Sequence, residues 1–179
     1  LAGAYAALCL YAAALALALT LGCLENEARR NLSVGERALW LLYLPLIVPQ
    51  IAFLFGVQVI LVALGGDGSF AALVGVHLVF VLPYVFLTLA GPYRGYDERY
   101  TRTAHALGAS RARVFWRIKL PMLAGPVALA AAIGFAVSVA LYLPTIFAGG
   151  GRIATLTTEA LALSGGNDRR VIGVYALLQ

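Results

Sequence analysis

Residues 96–121 read YDERYTRTAHALGASRARVFWRIKLP, and they form the longest polar interval in a chain that is 62% hydrophobic. Asp97 is a good helix N-cap, and Asp97 and Glu98 place negative charge at the positive end of a helix dipole. Gly108 can adopt the left-handed conformation that ends a helix. The first part of the interval therefore predicts a short helix that begins after Asp97 and ends at Gly108.

A second short helix is expected directly after this glycine. Ser110 can cap its first turn, and Val114, Phe115 and Ile118 recur at a spacing that places them on one side. Leu120–Pro121 is expected to end the helix, because proline disfavours a helical conformation in the residue before it. The interval is thus predicted to form two short helices joined at a glycine, between two membrane spans.

The first of these helices is predicted to be amphipathic. Tyr100, Ala104 and Leu107 follow one another at helical spacing, so one face is apolar and the other is charged. Basic residues concentrate in and beside the interval, where seven of the thirteen in the chain lie: Arg94, Arg99, Arg102, Arg111, Arg113, Arg117 and Lys119.

The composition indicates a membrane protein. Charged residues make up only 12% of the 179 residues, and the mean hydropathy is +0.90. A net charge of +5 would favour a nucleic-acid partner in a soluble protein, but here the preference for basic residues on the inner side of a membrane explains it, and no nucleic-acid partner is expected. Cys9 and Cys23 both lie in the first apolar run, where we interpret them as small apolar residues, and no metal site is predicted.

Five apolar runs predict the fold class, an all-α, polytopic bundle of about five transmembrane helices whose last span is truncated. About twenty apolar residues are needed to cross the hydrocarbon layer. The runs are 1–24, 38–64, 70–91, 124–147 and 171–179. We interpret residues 1–179 as one transmembrane domain, a fragment of a longer protein, with a loop at 92–123 on its cytoplasmic side.

The orientation follows from the distribution of basic residues. If the 92–123 loop is cytoplasmic, ten basic residues lie inside, namely the seven named above with Arg29, Arg30 and Arg37. Three lie outside: Arg152, Arg169 and Arg170. Ten against three agrees with the positive-inside rule, and the alternation of five spans is consistent with it.

Three polar residues inside the spans are candidates for a translocation path. Gln50 and Gln58 share the second span with Pro45 and Pro49, and each proline removes a backbone hydrogen bond and favours a kink. The other interpretation of the glutamines is hydrogen bonding between helices. His77 is the only ionisable group of the third span, and its alternatives are a proton relay or a neutral ring bonded to a carbonyl of a neighbouring helix.

The sequence lacks the motifs of an enzyme. Lys119, the single lysine, follows Ile118 rather than a glycine, so no phosphate-binding loop is present. It also contains no H-E-x-x-H or G-x-S-x-G motif. We therefore predict a protein that is not an enzyme and binds no cofactor, and any use of ATP must come from a partner subunit.

The polar interval resembles the EAA loop of the permease subunits of binding-protein-dependent ABC importers. That pattern comprises a Glu-Ala-Ala triplet, a glycine and an Ile-x-Leu-Pro run. Matching positions are Gly108, Ile118, Leu120 and Pro121, together with the flanking Asp97, Arg99 and Tyr100. Arg102-Thr103-Ala104 stands in place of the triplet, so the glutamate that would form an ion pair with the ATPase is absent, while the apolar face remains.

The resemblance implies a permease in the bacterial inner membrane, whose 92–123 loop couples it to a cytoplasmic ATPase subunit. The coupling residues that it implies are Asp97, Arg99, Tyr100, Arg102, Thr103, Ala104, Leu107, Gly108, Ile118, Leu120 and Pro121. Further implied partners are an extracytoplasmic solute-binding protein, a second permease half and the lipid bilayer. The Leu-Pro-Thr-Ile-Phe run at 143–147 looks most like the thiamine- and iron-type branch.

Two other classes of protein fit parts of the sequence. A secondary transporter or channel without an ATPase would need charged or broken-helix ion sites at the middle of the membrane. A structural membrane protein would need only the alanine-rich spans. For the polar interval itself, the alternative to coupling is an amphipathic loop that lies on anionic lipid headgroups.

Overall fold

A computed structural model of the chain describes residues 2–30, 36–66 and 68–149. The elements in this part of the chain are all helical, as the sequence predicts. They are α1 (Ala2–Arg30), α2 (Glu36–Ile47), α3 (Gln50–Ala63), α4 (Phe70–Arg94), α5 (Glu98–Ala106), α6 (Arg111–Val114), a π-helical turn (Phe115–Lys119), α7 (Leu120–Met122), α8 (Ala124–Ala140) and α9 (Tyr142–Gly149).

Three long helices form the core of the bundle. α1 packs against α4 and α8, and α4 packs against α8 and α9. Close approach depends on small residues, because Ala130, Gly134 and Ser138 are all buried along one side of α8. A β-carbon at Gly134 would lie only 2.8 Å from Val85 Cγ2. This stripe of small residues places α8 against α4.

In the part of the chain that the structure describes, two helices are long and apolar enough to cross a membrane, within Tyr5–Arg29 and Phe70–Arg94. A third is counted if Arg111–Met122 and Ala124–Ala140 make one span, although they are bent by 76° to each other. α1 runs on as a helix to Arg30, beyond the predicted end of the first span at residue 24, because the charged residues after Leu24 are also good helix formers. The prediction of five spans remains a prediction.

The second predicted span is divided into two helices. Pro49 has φ −51° and ψ 125°, an extended conformation that separates α2 from α3. Proline lacks the amide hydrogen that would continue the helix, so a break here was expected. Pro45, in contrast, lies inside α2 and is buried.

The fourth predicted span is also divided, but not at the predicted place. The sequence predicts a kink or an end at Leu143–Pro144, whereas α8 ends at Leu141, which has φ −75° and ψ 84°. Pro144 lies near the start of α9, where a proline needs no intrahelical hydrogen bond for its nitrogen. The predictions for the external segment after residue 149 and for the fifth span at 171–179 lie outside the described residues.

Candidate functional site

The 92–123 loop begins where α4 ends. Gly95 caps α4, and the Asp97 carboxylate accepts a hydrogen bond from the Arg99 amide at 2.9 Å. Asp97 therefore caps α5, as the sequence predicts, and Glu98 lies in its first turn. α5 can therefore form apart from the long helices, because a side chain of the polar interval satisfies an amide at the start of this helix.

Gly108 joins the two short helices. Its φ is +81°, a conformation that strains residues with a side chain. The Gly108 amide donates to the His105 carbonyl at 2.9 Å, and the Ala109 amide donates to the Ala104 carbonyl at 3.0 Å. His105 Nδ1 lies 3.0 Å from the Ala109 carbonyl oxygen. The predicted glycine joint is confirmed, and it sets the direction in which the chain enters α6.

The second short helix begins as predicted but does not end as predicted. The Ser110 hydroxyl accepts a hydrogen bond from the Arg113 amide at 3.4 Å. The helix then passes through the π-helical turn and Pro121 to Met122, and it ends at Leu123, with φ −97° and ψ 10°. Leu120–Pro121 does not stop it: the chain stays helical through Leu120 (φ −64°, ψ −44°), and Pro121 directly follows the π-helical turn, in which the regular hydrogen-bond ladder is already altered.

The tip of the loop exposes two large apolar side chains. Leu107 is 83% exposed and Tyr100 is 53% exposed. Four of the residues predicted to couple to an ATPase are exposed as well: Asp97, Arg99, Arg102 and Thr103. Ala104 was predicted to share the apolar face with Tyr100 and Leu107. In the structure it is only 7% exposed and packs against the chain itself. The exposed apolar surface of α5 is therefore formed by Tyr100 and Leu107, and Ala104 holds the helix against its own protein.

The remaining positions of the motif lie nearer to the bundle. Ile118 and Leu120 are partly buried, and Pro121 is exposed. Val114 is only 3% exposed and is the inner anchor of the second short helix. These residues therefore support the loop from within, and they lie apart from the exposed tip at Leu107.

Lys119 makes structural contacts that sequence reasoning missed. Its side chain is buried, and its Nζ lies 3.1 Å from Glu25 Oε2 at the end of α1. The hydroxyl of Tyr93, in α4, donates a hydrogen bond to the same carboxylate oxygen. We call Glu25, Tyr93 and Lys119 the lysine cluster. It joins the two long helices to the π-helical turn of the loop.

Aromatic rings complete the surroundings of the buried ammonium group. Lys119 Nζ lies 4.4 Å from the centre of the Tyr93 ring and 5.3 Å from that of the Tyr96 ring. Glu98 of α5 lies 4.0 Å away. A desolvated cation is attracted to aromatic faces as well as to carboxylates. One sequence signal was available, namely a lone lysine between two apolar residues of the motif.

Two further ion pairs lie where α1 and α4 end beside the loop, one between the two helices and one within α1. Arg94 donates two hydrogen bonds to Glu27, each of 3.2 Å. Arg29 Nε lies 3.1 Å from Glu25 Oε1 within α1. A polar pocket of about 190 Å³ opens between α1 and the loop, and Glu25, Glu98 and Arg111 line part of it. Arg94 and Lys119 thus tie the 92–123 loop to two carboxylates of α1.

Comparison with known proteins decides the family. Residues 14–177 match the family described as the binding-protein-dependent transport system inner membrane component. The chain belongs to this family. An inner membrane location follows from the membership and agrees with the long apolar helices.

Named relatives of this inner membrane component are transport permeases. The chain is 40% identical over 144 residues to the inner membrane ABC transporter permease protein YnjC of Escherichia coli K12. The aligned region covers 80% of the chain and 28% of YnjC. It is 30% identical over 98 residues to the spermidine/putrescine transport system permease protein PotC of the same strain, covering 55% of the chain and 37% of PotC. The matched part thus spans less than two fifths of these relatives.

The path candidates of this family member have separate surroundings. His77 is fully buried, with Nδ1 2.8 Å from the Ser138 hydroxyl and Nε2 3.0 Å from the Thr145 hydroxyl. It therefore joins α4 to α8 and α9 through hydroxyl groups, and the predicted bond to a helix carbonyl is wrong. Each ring nitrogen of His77 lies next to one buried hydroxyl, because polar groups in an apolar interior need hydrogen-bond partners.

The two glutamines do not meet His77. Gln50 lies beside Pro49 in an open groove of about 550 Å³, which Tyr84 and Leu141 also line. The groove therefore runs along both helix breaks, at Pro49 and at Leu141. Gln58 carries a buried side-chain oxygen without a hydrogen-bond partner in the described part of the chain. In the described ranges, no group of three or more His, Cys, Asp or Glu side chains could hold a metal ion.

Proposed function

We propose that this chain is part of the permease subunit of an ATP-binding-cassette importer, and that its 92–123 loop couples it to a separate cytoplasmic ATPase. The observation that carries the proposal is the exposed tip of the loop. A leucine that is 83% exposed, next to a glycine with φ +81°, protrudes from the end of a helix in which Ala104 is buried. Membership of a family of transport-system membrane components supports a docking role for this tip.

The tip has the composition of a docking surface. Tyr100 and Leu107 offer apolar area, and Arg99 and Arg102 lie exposed beside them. Apolar anchors surrounded by polar groups are the usual anatomy of a protein interface. We propose that the two apolar side chains enter a cleft of the ATPase and that the arginines lie at its rim.

The lysine cluster would carry the movement from the loop into the membrane helices. When two ATPase subunits close on nucleotide, they would draw two such loops together. Glu25, Tyr93 and Lys119 then connect the displaced loop to α1 and α4. Each nucleotide state must contact the loop differently, because a partner shifts an equilibrium only by its differential affinity.

Further parts of the proposal follow from the family. They are a second permease half, an extracytoplasmic solute-binding protein, a multi-pass arrangement in the inner membrane and ATP bound only by the partner. The groove at the helix breaks, with Gln50, is proposed as part of the translocation path. Gln58 and His77 are the other path candidates. The substrate is not assigned, and the thiamine- and iron-type branch remains a prediction from residues 143–147.

Replacement of Leu107 by Asp tests the docking step. Loss of a buried leucine at an interface costs about 2 kcal/mol, so binding of the ATPase subunit should weaken roughly 30-fold. The measurement is co-purification of the ATPase with the full-length permease, followed by ATP-dependent uptake in vesicles. Leu64→Asp is the matched control, since Leu64 is 78% exposed at the end of α3, away from the loop.

The outcomes separate this proposal from its rivals. Normal ATPase association and transport by the Leu107→Asp protein would exclude docking through this tip. Uptake that continues without any ATPase would favour a secondary transporter or channel. Absence of uptake with the full complex and every candidate solute would favour a structural membrane protein.

A further inference from the structure

The second short helix of the loop lies across the direction of the span that follows it. Residues Arg111–Met122 are bent by 76° from Ala124–Ala140. α8 packs alongside α1 and α4, the two helices that are long and apolar enough to cross a membrane. A segment at 76° to such a helix runs nearly parallel to the membrane surface. The start of α8 therefore places this segment at the level of the lipid headgroups.

This segment has an inner and an outer face. Val114 and Lys119 are 3% and 5% exposed and face the protein. Trp116 is 65% exposed, and Arg113 and Arg117 are exposed beside it. Positions three and four residues apart lie together on a helix, so these three side chains share the outer face. We call them the arginine–tryptophan face.

The charge on this face is not balanced locally. Residues 109–122 contain no Asp or Glu, and within the described ranges neither Arg113 nor Arg117 takes part in an ion pair. The other basic residue of the turn, Lys119, is neutralised by Glu25. The outer face therefore presents two uncompensated guanidinium groups on either side of an exposed indole.

We propose that the arginine–tryptophan face binds the headgroups of anionic phospholipids of the inner leaflet. Guanidinium groups bind phosphate through two parallel hydrogen bonds, and tryptophan favours the membrane interface because its ring is apolar and its N–H is polar. The inner leaflet carries negative surface potential that attracts basic segments next to a span. This goes beyond ATPase coupling, because it assigns a different face of the loop to a different partner.

Tryptophan fluorescence tests the proposal directly. The full-length permease, assembled with its ATPase, is prepared with Trp116 as its only tryptophan and reconstituted in phosphatidylcholine. Brominated phosphatidylglycerol or brominated phosphatidylcholine is then added as a minor component. We expect brominated phosphatidylglycerol to quench Trp116 more strongly, since each arginine enriches anionic lipid by roughly fivefold. Added salt should reduce the difference.

Paired substitutions identify the residues responsible. In the Arg113→Gln/Arg117→Gln protein, both brominated lipids should quench Trp116 equally. Arg169→Gln/Arg170→Gln removes the same charge from the segment predicted to lie on the outer side and should leave the difference intact. Equal quenching in the parent protein would overturn the proposal. Absence of quenching by either lipid would also overturn it, because Trp116 would then be covered by the ATPase or a second permease half.

Discussion

Lys119 is buried, and its ammonium group is held by Glu25 at 3.1 Å and by the Tyr93 ring at 4.4 Å. Removing an ammonium group and a carboxylate from water costs several kcal/mol for each, and their attraction offsets this cost only with good geometry. The charges of Lys119 and Glu25 are therefore stabilised only while both residues are present.

Replacement of Lys119 by Met should be costly alone and cheaper when Glu25 is replaced as well. Lys119→Met leaves a carboxylate whose side chain is only 20% exposed without its main cation, and we expect a loss of about 3 kcal/mol in the free energy of unfolding. Glu25→Gln in the same chain should restore a large part of the loss. The measurement is a double-mutant cycle of unfolding in mixed micelles.

Arg29→Gln provides the control for this cycle. Arg29 binds the other oxygen of Glu25, but its side chain is 51% exposed, so its removal should cost less than about 1 kcal/mol. If the effects of Lys119→Met and Glu25→Gln are simply additive, the two side chains are not coupled and the lysine cluster does not hold the loop to α1.

Residue identity predicted some of these contacts and not others. The Asp97 cap and the Gly108 joint follow from local chemistry, because each acts on amides within a few positions. The pairing of Lys119 with Glu25 joins residues 94 positions apart, and no local pattern specifies it. Burial of Ala104 was missed for the same reason, since helical spacing gives a face but not what covers it.

The helices show where proline is informative. Proline breaks the chain at Pro49 but is accommodated at Pro45, Pro121 and Pro144. The outcome depends on whether the residue falls in the first turn of a helix and on what the neighbouring helix can satisfy. Tertiary packing sets where each helix starts. The sequence alone therefore does not show which of these prolines breaks its helix.

Replacement of Gly134 by Ala tests the packing of α8 on α4. The added β-carbon would lie 2.8 Å from Val85 Cγ2 and 3.3 Å from Val81 Cγ1, so the helices must separate. We expect a loss of about 1–3 kcal/mol in unfolding free energy. Unfolding of the purified protein in mixed micelles measures it.

Two matched variants show whether the contact is the cause. Gly125→Ala, in the same helix, has no atom within 4 Å of its new β-carbon and should change stability by less than about 1 kcal/mol. Val85→Ala should relieve part of the loss in the Gly134→Ala protein because it removes the close methyl group. Equal losses for Gly134→Ala and Gly125→Ala would contradict this packing.

The molecule as a whole combines a lipid-facing bundle with a polar loop tied to one end. Apolar runs predicted the helical fold class, and the resemblance predicted the family to which the chain belongs. The number of spans could not be predicted with the same success, because the second and fourth runs each fold as two helices. An apolar run that is broken into two helices has the same composition as a straight span, but its two parts run in different directions.

The side of the membrane on which the loop lies is the most direct test. The measurement is labelling of a cysteine at Thr103, an exposed position of α5, in the full-length permease after Cys9 and Cys23 are replaced by alanine. A membrane-impermeant maleimide should label it in inside-out vesicles but not in right-side-out vesicles, and the bound ATPase should protect it. Labelling from the outer side, or labelling that the ATPase leaves unchanged, would contradict the coupling role of the loop.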